Sequence, residues 1–124
     1  MSVNEEGRQV EIAAEVEELT RTLAHSTRAV PRPSDSYPLL GELTASVDHL
    51  AQVIAQLAKW HYRVEDGVHY DGEDGGSTAS ATSAGAALDA AAHALTEASE
   101  HIGQAHSSNA VVRWYDEPRA SIEA

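Results

Sequence analysis

Apolar residues fall at Leu40, Leu43, Val47, Leu50, Ile54 and Leu57, alternately three and four positions apart, and His61 takes the next place in the series. A repeat of about 3.5 residues is the seam of packed helices. A second row, seven apart, reads Leu39, Ser46, Val53 and Trp60; Ser46 interrupts it, but the row still widens the apolar face. The pattern predicts a helix over about 36–63. Asp35 or Ser36 can serve as N-cap, and Pro38 is tolerated in the first turn.

Leu88, Ala91, Leu95, Ala98, Ile102 and Ala105 repeat the spacing and predict a helix over about 81–107. Large residues alternate there with alanine, so a neighbouring backbone can come close. Ser107, Ser108 and Asn109 form the stop signal. Ile12, Val16, Leu19 and Leu23 make a shorter stripe and predict a helix over about 3–29. Ser2 to Glu5 has the form of a capping box, and Pro31 and Pro33 end the helix and stiffen the turn.

Three helices of similar length, roughly 40 Å each at 1.5 Å per residue, are expected. A short first connection favours antiparallel neighbours, and an acidic, glycine-rich loop over about 65–80 joins the second helix to the third. The expected fold is all-α: an antiparallel three-helix up-down-up bundle, one domain over 1–115 with a tail at 116–124. The rival is a hairpin of the last two helices that dimerises into a four-helix core, with the first helix outside. The modest stock of large aliphatics, beside twenty-two alanines and no phenylalanine, favours self-association as a two-fold homodimer.

Charge adds a second layer. The net charge is −12, which disfavours direct contact with nucleic acid or an anionic membrane. The absence of cysteine excludes disulfides, thiolate metal sites and a cysteine nucleophile. No signal peptide or membrane-length apolar run is visible, so a cytoplasmic protein is expected. Twenty-two alanines, and seven arginines against a single lysine, fit a high-GC bacterial genome.

On the expected bundle, the acidic start of the first helix and the acidic loop share one end. The other end gathers Arg28, Arg32, Tyr37, Arg113, Trp114 and Tyr115. Arginine and aromatic residues are enriched at binding hot spots, so these six are the expected partner-binding residues. A hydrophobic lid formed by Trp114 and Tyr115 is the simpler alternative.

Catalytic chemistry finds little footing. His93, Glu97 and His101 recur every four residues, but the heptad places them on the outer side, as an exposed polar face. His61 takes a seam position, half exposed in a last turn near Glu65. Residues 71–82 fail the calcium-loop pattern, and no nucleophile elbow or phosphate-binding loop is present. The expectation is a non-enzymatic interaction module, without cofactor or metal, that self-associates and docks a partner protein. The alternatives are an acidic mimic that sequesters a nucleic-acid-binding protein, and a histidine-based metal-binding protein.

Overall fold

The computed structural model of the chain describes residues 6–64 and 79–117. They form three α-helices and no strand: α1 (Gln9–Ser26), α2 (Ser36–Tyr62) and α3 (Ala79–Asn109). Short 3₁₀ turns at Glu6–Arg8 and Pro33–Asp35 precede α1 and α2. The Ser2–Glu5 capping box and the acidic loop lie outside the described residues. Two compact units result: residues 36–113, and residues 1–35 together with 114–124.

In the first unit α2 and α3 pack against each other. Four polar or aromatic bridges span the pair from one end to the other. Asn109 Nδ2 donates to Ser36 Oγ at 3.1 Å. The Tyr37 and His106 rings stack at 4.1 Å. Ser99 Oγ donates to Asp48 Oδ1. Tyr62 Oη donates to Asp89 Oδ2 at 3.2 Å. Early α2 residues meet late α3 residues, so the pair is an antiparallel hairpin.

The row of α3 at the hairpin contact is displaced by one residue from the expected seam. Ala81, Gly85, Leu88, Ala92, Leu95, Ser99, Ile102, His106 and Asn109 are buried or half-buried, with spacings that alternate four and three. Leu88, Leu95 and Ile102 were common to both readings. Ala91, Ala98 and Ala105, expected in the seam, are instead exposed. On α2 the matching row is Leu40, Thr44, Val47, Ala51, Ile54 and Ala58, so Leu50 and Leu57, expected in the seam, are instead exposed. Ala58 has no exposed surface at all.

The reason for the shift is steric. A contact line of Thr, Ala and Gly lets two helices approach at the short end of the usual 8–10 Å separation. A Cβ on Gly85 would stand 3.0 Å from the Tyr62 ring, and one on Gly41 would stand 3.1 Å from His106 Nε2. Thr44 returns its hydroxyl to the carbonyl of Leu40, so it leaves no polar group unpaired at this line.

In the second unit α1 contains no buried residue. Its order comes from local terms. Arg21 pairs with Glu17 at 2.8 Å, and Arg8 reaches Glu11 at 2.8 Å and Glu15 at 3.4 Å. Such exposed pairs contribute a few tenths of a kcal/mol each, roughly. The helix stops at Ser26, short of the expected residue 29, where Thr27 N–H bonds back to the Leu23 carbonyl.

Candidate interaction surface

The six residues expected to bind a partner fall into both units. Arg28 folds back onto the end of α1, where its Nε donates to the His25 carbonyl at 3.2 Å and Nη2 lies 3.1 Å from His25 Nε2. Arg113 does the same after α3, donating to the carbonyls of Ala110 and Val112. The Arg28 guanidinium offsets the negative end of α1. Tyr37 is committed to its His106 stack.

Arg32, Trp114 and Tyr115 belong to one unit, and a specific contact joins their two segments. Ser34 N–H donates to Asp116 Oδ1 at 2.9 Å. Bonds from the Ser34 side chain and backbone, with a smaller contribution from the Arg32 charge, hold the Asp116 carboxyl below the usual range. Trp114 and Tyr115 both remain substantially exposed.

The histidines take separate places. His93, Glu97 and His101 are all exposed on α3. Among the described residues, no three histidines or carboxylates are placed to hold a metal ion. His61 is half-buried, with Nδ1 2.7 Å from the Leu57 carbonyl and its ring edge-on to Trp60. The expected neighbour Glu65 is outside the described residues. An open depression on α1 is lined by Glu18, Arg21, Thr22 and His25, residues of a single helix, and encloses nothing.

The surface that sequence reasoning missed is on the hairpin. Leu50, Val53, Leu57 and Trp60 are 39%, 47%, 43% and 60% exposed. With Leu43 they form a heptad row of their own, one residue ahead of the packed Thr44–Ala51–Ala58 row. The signal was present as a face wide enough for two neighbours, but periodicity did not say which half α3 would take.

The described chain is thus an all-α protein whose ordered core is an antiparallel hairpin with a close small-residue contact. No helix among the described residues is long and apolar enough to cross a membrane. Compared with known proteins, the chain matches no family model, no curated protein and no solved structure.

Proposed function

We propose that the chain is a non-enzymatic interaction module that self-associates through the α2–α3 hairpin and docks a partner protein elsewhere. The observation that carries this reading is the exposed row Leu50, Val53, Leu57 and Trp60 on α2. A contiguous apolar patch of this kind on a soluble chain marks an interaction site. In this reading two hairpins build a four-helix core. The stripe Ile12, Val16, Leu19 and Leu23 lets α1 complete an up-down-up arrangement against its outside. A cytoplasmic location belongs to the same proposal.

Sedimentation equilibrium of the full chain tests it. Twice the chain mass is expected, and Leu50→Glu should return the mass to that of one chain. A monomer at all concentrations with the native sequence would remove the self-association part.

Of the six expected binding residues, partner docking is proposed for Arg32, Trp114 and Tyr115, which lie in one unit. The Ser34–Asp116 bond supports it, because it fastens the segment carrying Trp114 and Tyr115 to the turn carrying Arg32. Arginine and tryptophan are the side chains whose loss costs most at interfaces. Arg32→Ala combined with Trp114→Ala should abolish the retention of any protein that co-purifies with the native chain from its host. Undiminished retention would move the docking site elsewhere.

A further inference from the structure

The hairpin's contacts fix its register. Asp48 faces Ser99, Gly41 faces His106 and Tyr62 faces Gly85, and in each pair the two residue numbers add to the same total. Leu43, Leu50 and Leu57 are therefore level, to within about one residue, with Ala105, Ala98 and Ala91.

The two rows also emerge on the same side. On α2 the leucine row precedes the packed row by one residue, and on α3 the alanine row Ala91–Ala98–Ala105 precedes Ala92–Ser99–His106 by one residue. One residue is a rotation of about 100°. On two antiparallel helices that face each other, the same rotational offset points to the same side of the pair. That side carries a ridge of large residues on α2 beside a shallow row of alanines on α3, with Val47, Ile54, Leu88, Leu95 and Ile102 in the groove between. The opposite side presents Gln52, Lys59, His93 and Glu100.

A surface made of a ridge and a matching trough at equal heights is complementary to itself. Resting on the self-association proposed above, we infer that the occupant is a second copy of this chain. Its two-fold axis runs parallel to the helices, so that the leucine row of each α2 packs on the alanine row of the other copy's α3. Each α2 then has antiparallel neighbours on two sides, the arrangement of an all-antiparallel four-helix core.

Size favours this occupant. The 27 residues of α2 span roughly 40 Å and two adjacent helices are about 20 Å across, so the face offers about 800 Å². A standard interface takes the same area from each partner. The 18 residues of α1 make a rod about 27 Å long and one helix wide, which covers about a third of that face. Charge does not oppose the pairing. Glu42, Asp48 and Lys59 of α2 and Asp89, Glu97 and Glu100 of α3 all stand outside the leucine and alanine rows.

Because the chain has no cysteine, single introduced cysteines report cleanly. Chains carrying Leu50→Cys are mixed with chains carrying Ala98→Cys and oxidised. Only Cα pairs within about 7 Å bridge readily. The expected result is a mixed disulfide in several-fold excess over Leu50→Cys with Ala105→Cys, a partner displaced by seven residues. It should also exceed Leu50→Cys with itself. Leu57→Cys with Ala91→Cys repeats the test at a second height, should one substitution disturb folding.

Dominant self-linking of Leu50→Cys in a chain of twice the monomer mass would overturn the axis and leave self-association standing. A monomeric mass, with Leu50→Glu lowering the urea midpoint of that monomer, would overturn both and assign the face to the chain's own residues.

Discussion

Leu50 and Leu57 each stand one position before Ala51 and Ala58, yet the alanines are the more buried and the leucines are 39% and 43% exposed. Hydrophobic transfer alone would bury the leucines, since each is worth about 1.5–3 kcal/mol when fully buried. Within a single hairpin the packed line is instead set by how closely two backbones approach. That choice leaves Leu50, Val53, Leu57 and Trp60 partly exposed, and they are the residues proposed to carry self-association. The packed line mixes small residues with Leu40, Val47, Ile54, Leu88, Leu95 and Ile102, while Leu50 and Leu57 stay partly exposed beside it.

The sharpest way to break this comparison is to exchange the sizes of neighbours. Ala58→Leu forces four-carbon bulk into a position with no exposed surface. Overpacking of this kind costs about 1–3 kcal/mol, so the urea midpoint should fall clearly at any protein concentration. Leu57→Ala, one residue away, should move the midpoint by less than about 0.5 kcal/mol when the chain is dilute enough to be monomeric. In concentrated solution the proposed pairing of two copies predicts a larger cost. Equal effects of the two changes at high dilution would mean that the leucine row is already packed within one chain.

Asp48→Ala has the next largest expected effect. Ser99 is only 6% exposed and gives its hydroxyl proton to Asp48. Its hydroxyl can turn to a carbonyl of its own helix instead, so the cost should be about 1 kcal/mol. Ser99→Ala should cost no more than this, because Asp48 is exposed to water. A chemical-denaturation series on the two single variants and the double variant gives the coupling.

The glycines sharpen the contrast between contact line and open surface. Gly103 has nothing within 4 Å of an added Cβ, so Gly103→Ala should raise stability by about 1 kcal/mol from helix propensity alone. Gly85→Ala gains the same propensity but displaces the Tyr62 ring and strains its bond to Asp89. The two contributions are similar in size, so the net change should be near zero. A full gain at Gly85 would show that Tyr62 yields freely and that the close contact is incidental.

The helices were legible because their signals are local. A helix over 36–63 was read from one strict repeat, and Ser36–Tyr62 is what forms. The third helix extends two residues past each expected end, since Ala79 and Asn109 are compatible with helix and the stop residues Ser107 to Asn109 are absorbed into its last turn. The side of α3 that packs was not legible. Leu88, Leu95 and Ile102 fit two rows equally well, and alanine marks both. Deciding between them takes Asp48 against Ser99 and Tyr37 against His106, partners more than fifty positions apart whose meeting is tertiary. Of the six expected binding residues, Arg28 and Arg113 proved to be occupied at helix ends. Their charge was readable from sequence, but the direction of a long side chain was not.

The smallest effect expected belongs to the other unit, which lacks the hairpin's close packing. Asp116 has its pKa lowered by the bonds from Ser34. A carboxylate whose folded pKa lies below its unfolded value of about 3.9 contributes its stabilisation above that value. The contribution fades as pH falls through the lower, folded value. Between pH 5 and 8 the Ser34–Asp116 link should therefore not respond to pH at all. Below the ordinary carboxylate range it should open, releasing the segment of Trp114 and Tyr115 from the Pro33–Asp35 turn. A carboxyl-detected NMR titration of Asp116, followed together with the Ser34 amide shift, checks this directly. Both signals should move with one midpoint, below 3.9, and Asp116→Asn should abolish the acid step at the Ser34 amide. If that step persists in Asp116→Asn, another group governs the turn, and the two segments proposed to form the docking surface are not held together by this bond.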